Sequence, residues 1–267
     1  MINWYPGHIA KAQKLLKQQL KFVDLVIEML DARLPVSSHF KITEELIKGK
    51  SKILVLNKID LAQNTSKWIN YWKNKNIDVI NLDLNEKKGL KELKKSIKQH
   101  KETLTKKLQT KNRPTRAIRI MVIGLPNVGK STLINNLIKK KSLLTADRPG
   151  VTRQNQWIRI EDGIELLDTP GIIPPRFEDQ DLVLKLIIIG SISDNAYEPI
   201  EVSMNIIKLL KEKYDYIDQD FTLENFTFKR NFLKEGGILD MERGARTFIR
   251  DLQKGKFGKI TLDSCNL

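Results

Sequence analysis

The stretch Gly124-Leu125-Pro126-Asn127-Val128-Gly129-Lys130-Ser131-Thr132 decides the fold. An apolar run, 118–123, precedes it, and a run with helical spacing, 132–140, follows it. Its two glycines allow the tight turn in which backbone N–H groups surround a phosphate, its lysine neutralises charge, and its serine can bind Mg2+. The stretch therefore predicts a phosphate-binding loop between a strand and a helix, with a nucleoside triphosphate as its ligand.

A second motif, Asn57-Lys58-Ile59-Asp60, follows a short apolar run at 53–56. The final aspartate of such a tetrad can accept hydrogen bonds from the ring N–H and the exocyclic amine of guanine. Adenine does not present that pair of donors. Together with the phosphate loop, the tetrad predicts GTP as the nucleotide, and Asn57, Lys58 and Asp60 as the residues that bind its base.

Two further motifs follow the phosphate loop. The first, 148–153, contains Thr152, which we expect to close on Mg2+ and the γ-phosphate; the second is Asp168-Thr169-Pro170-Gly171. We expect Asp168 to contact Mg2+ through water and the Gly171 N–H to sense the γ-phosphate. The predicted nucleotide-binding residues are Asn57, Lys58, Asp60, Asn127, Val128, Gly129, Lys130, Ser131, Thr132 and Gly171, and the predicted magnesium ligands are Ser131, Thr152 and Asp168.

The order of the motifs is unusual, because in an ordinary GTPase the phosphate loop precedes the N-K-x-D tetrad. The order indicates a circular permutation in which the chain is cut in a surface loop, where such a cut is tolerated. Strands alternating with helices predict a mostly parallel α/β sheet flanked by helices, followed by a small all-α domain. We expect a permuted GTPase domain over 1–176 and a helical RNA-binding domain over 177–267. The expected strands are 22–30, 53–56, 77–82, 118–123, 156–160 and 164–167, and the expected helices include 9–21, 66–74, 181–193, 199–213 and 240–253.

Positive charge dominates the chain, with a formal net charge of +15. Residues 1–110 carry 22 Lys and Arg against 11 Asp and Glu, many of the lysines in a helical pattern over 87–111. Such an excess indicates a polyanionic partner, although a solvated helix face explains the lysines equally well. Arg243, Arg246 and Arg250 recur at helical spacing and are the predicted RNA contacts, with an ordinary solvated face as the alternative.

The motif order and several segments resemble the circularly permuted ribosome-assembly GTPases. The segments are Trp4-Tyr5-Pro6-Gly7-His8, Asp31-Ala32-Arg33, the phosphate loop, R-P-G-V-T at 148–152 and D-T-P-G at 168–171. One departure is Asn81-Leu82-Asp83, where the family has an S-A-x type loop. The resemblance implies a GTPase for late assembly of the large ribosomal subunit, slow alone, stimulated by that subunit and released after hydrolysis. A nucleotide-gated RNA-binding scaffold with incidental hydrolysis, or a GTPase acting on another RNA, remains open.

Catalysis needs a group that orients water, and the position after Gly171 holds Ile172, which cannot hydrogen-bond. His8 begins the helix that would follow the second switch in an unpermuted chain, so it is the predicted catalytic residue; packing beside the neighbouring aromatics is the alternative. Asn127 is a second candidate, because an asparagine in this position helps hold K+ in related GTPases; loop stabilisation is the alternative. Lys130 and Thr152 complete the predicted catalytic set. His39 and His100 are expected at the surface.

The remaining composition sets limits on location and chemistry. The single cysteine, Cys265, excludes an intramolecular disulfide and a cysteine metal cluster. No apolar run reaches the roughly 18 residues that a membrane span needs, and the N-terminus shows no signal pattern. We expect a cytoplasmic monomer without a membrane partner.

Overall fold

The computed structural model describes residues 16–39, 44–45, 47–138, 157–167, 179–215 and 217–264. The described residues fall into two compact units. The sheet unit contains those up to Leu167 together with 261–264, and the helical unit contains 179–260. The last described residues therefore belong to the sheet unit, although the sequence analysis assigned them to the helical domain.

A six-stranded sheet forms the centre of the sheet unit. Its strands are β1 Leu25–Asp31, β2 Ser51–Asn57, β3 Val79–Asn81, β4 Ile118–Gly124, β5 Trp157–Glu161 and β6 Ile164–Leu167. Their order in the sheet is β3-β2-β1-β4-β6-β5. Neighbouring strands are parallel except for the antiparallel pair β5–β6. Asp31 at the end of β1 is in register with Asn57 on β2, and Met29 of β1 is in register with Gly124 on β4. The carboxyl ends of β2 and β4 thus lie on either side of β1.

Helices cover the sheet, and its central strand β1 is buried on both faces. All seven residues of β1 are buried, which is typical of a parallel strand between two helical layers. Trp68 and Trp72 pack with Leu30 and Leu56, while Leu16, from the helical residues 16–20, packs in a second cluster on the sheet. The helices of this unit are α1 Thr65–Asn74, α2 Leu90–Gln109 and α3 Lys130–Leu137.

Three of the four α-helices described in the helical unit begin at side-chain caps. Asp179, Thr222 and Asp240 each accept a hydrogen bond from a backbone N–H of the first turn that follows, which stabilises a helix start by about 1 kcal/mol. Four phenylalanine rings pack inside this unit with neighbouring centroids 5.2–6.2 Å apart. The helices are α4 Gln180–Ile188, α5 Pro199–Lys213, α6 Leu223–Lys229 and α7 Met241–Gln253, and the rings belong to Phe221, Phe226, Phe248 and Phe257.

Among the described residues, none of the helices combines the length and the apolar character that a membrane span needs.

The predicted fold class, a mostly parallel α/β sheet flanked by helices and followed by a helical part, is confirmed. The apolar runs predicted the strands to within three residues at each described end. Helix α6 was missed, because seven residues are too few to show a helical period in the sequence.

Candidate nucleotide-binding site

The phosphate loop runs from the end of β4 to the start of α3, and its backbone requires glycine at both ends. Gly124 has a φ of 147° and Gly129 a φ of 103°, values that other residues rarely adopt. A Cβ at Gly124 would lie 2.3 Å from the Met29 carbonyl oxygen, and one at Gly129 would lie 2.4 Å from Nδ2 of Asn57. A larger residue at Gly124 would therefore require the backbone of β1 to move, and one at Gly129 would displace the Asn57 side chain.

The loop places the lysine and the two hydroxyl residues at the first turn of α3. Lys130 is only 8% exposed, and its Nζ donates to the Leu125 carbonyl oxygen at 2.6 Å. Ser131 and Thr132 are exposed. No side chain caps the helix start at Gly129, and the backbone N–H groups of a helix N-terminus favour an anion. The geometry fits a bound phosphate.

Asn57 joins the N-K-x-D tetrad to the phosphate loop. It is 3% exposed, and its Nδ2 donates to the Val128 carbonyl oxygen at 2.7 Å. Its Oδ1 is buried and, within the described residues, has no hydrogen-bond partner; the same holds for Oδ1 of Asp60 and of Asn81. Buried acceptors without partners are rare in proteins. Their presence at this edge of the sheet fits a ligand that brings N–H donors, as guanine does.

Lys58 is held by a buried ion-pair network at the end of β1. Its φ is 62°, and its Nζ lies 3.1 Å from Oδ2 of Asp31. Arg33 donates to the same carboxylate from Nε at 2.9 Å and from Nη2 at 2.8 Å, and both residues are almost completely buried. Burial alone would raise the pKa of Asp31, but the charges of Arg33 and Lys58 outweigh it and hold the pKa below its usual value. Asp31 is therefore ionised and fixes the lysine.

Four predicted site residues lie outside the described residues: His8, Thr152, Asp168 and Gly171. Among the described ones, Asn127 is exposed in the phosphate loop with a φ of 60°. The expectation that His39 is a surface residue was wrong. Its side chain is 12% exposed, its Nδ1 lies 2.7 Å from Oε1 of the buried Glu28, and its ring packs edge-on against Trp72. His100 is half-buried, with Nδ1 2.9 Å from the Ser96 carbonyl oxygen.

The predicted RNA-contacting arginines share one helix, α7, and each has a contact inside the helical unit. The guanidinium of Arg243 lies 4.4 Å from the ring centroid of Phe232. Arg246 donates to Glu242 at 2.9 Å and 3.1 Å, and Arg250 donates to Oδ2 of Asp194 at 3.2 Å. The arginines therefore contribute to the packing of this unit as well as to its surface charge.

Sequence reasoning missed how the site is held together. Asp31-Ala32-Arg33 was noted as a segment, but nothing in its spacing shows that its aspartate binds Lys58. The contact of Asn57 with Val128 was also missed, although both residues were predicted to bind nucleotide. Both contacts join segments that are far apart in the chain, so only the register of the strands reveals them.

The site defines a class of protein. A phosphate loop and an N-K-x-D tetrad, joined at the carboxyl edge of a mostly parallel sheet, are the features of a P-loop GTPase domain. In agreement, a family model described as "50S ribosome-binding GTPase" matches residues 119–232.

Comparison with curated proteins gives the particular family. The chain is 39% identical to ribosome biogenesis GTPase A of Bacillus cereus, over 99% of this chain and 94% of the relative. It is 32% identical to ribosome biogenesis GTPase A of Thermotoga maritima, over 98% of this chain and 94% of the relative. The chain belongs to the ribosome biogenesis GTPase A family.

Solved structures agree with this assignment. The crystal structure of GNP-bound YlqF from T. maritima matches with a TM-score of 0.70 and 29% identity, covering 95% of this chain and 97% of that one. A GDP-bound structure of TM YlqF matches with a TM-score of 0.66 and 29% identity, covering 93% and 97%.

The ion-pair network yields a prediction about stability. Asp31→Asn leaves the buried Arg33 without its counter-charge, so the free energy of unfolding should fall by about 3–5 kcal/mol. Urea denaturation of the wild type and the variant measures this difference. Because the pKa of folded Asp31 is lowered, the difference should be constant above about pH 4 and shrink as the pH falls further, through the folded pKa.

The control removes the charges of both Asp31 and Arg33. Asp31→Asn combined with Arg33→Met leaves only Lys58, which is partly exposed, without its carboxylate partner, and should recover most of the loss. Equal stability of the wild type and the single variant would contradict the network.

Proposed function

We propose that the chain is a GTP hydrolase, converting GTP to GDP and phosphate, that acts in late assembly of the large (50S) ribosomal subunit. The observation that carries the proposal is the hydrogen bond from Asn57 to Val128, which joins the tetrad to the phosphate loop. The names of the full-length relatives support the role in ribosome assembly. The chain would bind the pre-subunit in its GTP state and leave after hydrolysis.

Base selection would come from Asp60. Its buried Oδ1 lacks a partner within the described residues, and a carboxylate there accepts from both guanine donors. Adenine would leave that oxygen without a hydrogen bond, a cost of about 1–3 kcal/mol for each buried polar group. The aliphatic stem of Lys58, fixed by Asp31, would border the base.

Phosphate binding would use the phosphate loop. Lys130 would exchange its contact with the Leu125 carbonyl for phosphate oxygens. We assign the hydroxyl of Ser131 to Mg2+, together with Thr152 and Asp168, and the Gly171 N–H to the γ-phosphate; Mg2+ would neutralise charge on the phosphates. Binding of the γ-phosphate by these switch residues would make the fold sensitive to the nucleotide state.

Water orientation is assigned to His8, since Ile172 offers no polar group. Asn127, exposed in the phosphate loop, is assigned to K+, whose charge would take the place of an arginine finger. Hydrolysis by the chain alone should be slow, and the large subunit should stimulate it by ordering the switches.

The catalytic assignment is tested by His8→Ala. The variant should lower the rate of GTP hydrolysis by about 100-fold or more, the usual contribution of a positioned acid or base, and leave the Kd for GTP unchanged. Single-turnover hydrolysis by the wild type and the variant, measured with and without large subunits and in K+ and in Na+, gives the rates to compare. An undiminished rate would refute the role of His8, and equal rates in the two salts would refute that of K+.

An RNA partner is supported by the charge of α2. Lys91, Lys94 and Lys95 lie on one exposed side of this helix, and none of them has an ion-pair partner within the described residues. The buried side carries Leu90, Leu93 and Ile97. Unpaired lysines on a fixed helix can contact phosphates and release counterions. We call Lys91, Lys94 and Lys95 the lysine face and propose that ribosomal RNA binds to it.

The arginines of α7 are proposed as a second RNA contact. Arg250 is more available than Arg246, since its side chain is 59% exposed, whereas Arg246 is 33% exposed and paired with Glu242. Because ribosomal subunits are the proposed partner, the chain should act in the cytoplasm. We propose that it does so as a monomer.

The lysine face makes a quantitative prediction. Changing Lys91, Lys94 and Lys95 to Gln should weaken binding to large subunits and reduce the slope of log K against log salt by about 2–3, since each phosphate contact contributes about 0.7–0.9. Filter binding at several salt concentrations measures the slope.

The matched control changes three exposed lysines elsewhere in the sheet unit, Lys21, Lys48 and Lys67, to Gln. This variant has the same net charge and should keep the wild-type slope. Equal slopes for the two triple variants would refute the lysine face. Arg246→Gln with Arg250→Gln should weaken binding and also lower the stability of the helical unit.

A further inference from the structure

A short C-terminal segment, Thr261-Leu262-Asp263, packs into the sheet unit beside the proposed base-binding motif, residues 57–60. Its residues are at most 9% exposed. We call this segment the C-terminal brace. The Leu262 N–H donates to the Arg33 carbonyl oxygen at 2.7 Å. The brace therefore binds the backbone of the residue whose side chain holds Asp31.

Asp263 fixes the loop that follows Arg33. Its Oδ2 accepts from the N–H groups of Val36 at 2.7 Å and Ser37 at 2.9 Å, and its Oδ1 accepts from the Ser37 hydroxyl. Hydrogen bonds to an ionised acceptor are among the stronger ones in proteins. One carboxylate thus holds three donors of this loop.

Thr261 holds the chain just beyond the base-binding motif. Its hydroxyl oxygen accepts from the Gln63 N–H at 3.0 Å and donates to the Gln63 carbonyl oxygen at 2.9 Å. Gln63 is three residues beyond Asp60. The two residues that would contact guanine, Lys58 and Asp60, therefore lie along the chain between Arg33 and Gln63, and the brace binds the backbone of both.

We infer that the C-terminal brace positions Lys58 and Asp60 for guanine, with Asp263 and Thr261 as positioning residues. The inference rests on the proposed function, because it concerns the same base-binding site. Two chains of contacts carry it. One runs from Asp263 through the loop after Arg33, and from Arg33 through Asp31 to Lys58; the other runs from Thr261 through Gln63 to the turn that contains Asp60.

A comparison of GDP with inosine diphosphate tests the positioning role. Inosine lacks the exocyclic amine of guanine, so it can give Asp60 only one of the two hydrogen bonds. A well-placed carboxylate should favour GDP by about tenfold or more, the usual value of one hydrogen bond to a charged group. Kd values for both nucleotides, from titration calorimetry of the full-length chain with Mg2+, give this ratio.

Asp263→Ala should raise the Kd for GDP more than that for inosine diphosphate, and so lower the ratio at least threefold. A merely structural role would change both Kd values by the same factor. Asp263→Asn and Thr261→Val are the milder variants to use if the alanine variant does not fold. An unchanged ratio in the folded variants overturns the inference, whether or not both affinities fall.

Two controls separate this inference from the proposed function. Asp60→Ala should abolish the preference for GDP. Asp240→Ala removes an aspartate that accepts a backbone N–H at 3.1 Å in the helical unit; it should lower stability and keep the ratio. If the wild type prefers GDP and only Asp60→Ala removes the preference, the brace is refuted and base recognition stands. If the wild type shows no preference, both are refuted.

Discussion

The hydrogen bond from the Asn57 amide to the Val128 carbonyl is the contact on which the site depends. It joins the loop that would bind the base to the loop that would bind the phosphates, at the edge of the sheet where β2 and β4 end beside β1. Gly129 is required because any side chain there would collide with the same amide. The spacing between the tetrad and the phosphate loop is thereby set by one buried side chain and two strand registers.

This constraint is spatial and does not depend on the order of the motifs along the chain. The tetrad precedes the phosphate loop in the sequence, yet their strands are both adjacent to β1. A permuted GTPase domain is the interpretation that this arrangement supports. It leaves the sheet and its loops unchanged and moves only the chain ends, which is why a fold tolerates it. The buried Asp31 and the C-terminal brace then act on the same edge of the sheet, one through Lys58 and the other through the loops around it.

The sequence predicted the parts of the structure that depend on local pattern. Apolar runs placed the strands, and the glycines and lysine of 124–132 placed the phosphate loop. Contacts between distant segments were not predictable: the side chain of Arg33 turns back to Asp31 in a buried network with Lys58, and Asp263 binds a loop more than two hundred residues earlier. His39 was predicted to be a surface residue because a single histidine carries no pattern. Its partner Glu28 lies on the buried strand β1, and the sequence does not show that contact. The prediction that the α7 arginines share one helix was correct. Their contacts with Asp194 and Glu242 could not be predicted from the spacing.

The central claim is that the tetrad and the phosphate loop form one guanine-nucleotide site. Titration calorimetry of the full-length chain with GDP and with ADP, in the presence of Mg2+, tests it most directly. The account predicts that GDP binds about 100-fold or more tightly than ADP, since two hydrogen bonds to a buried carboxylate are at stake. Equal affinity for GDP and ADP, or no binding of either, would contradict it.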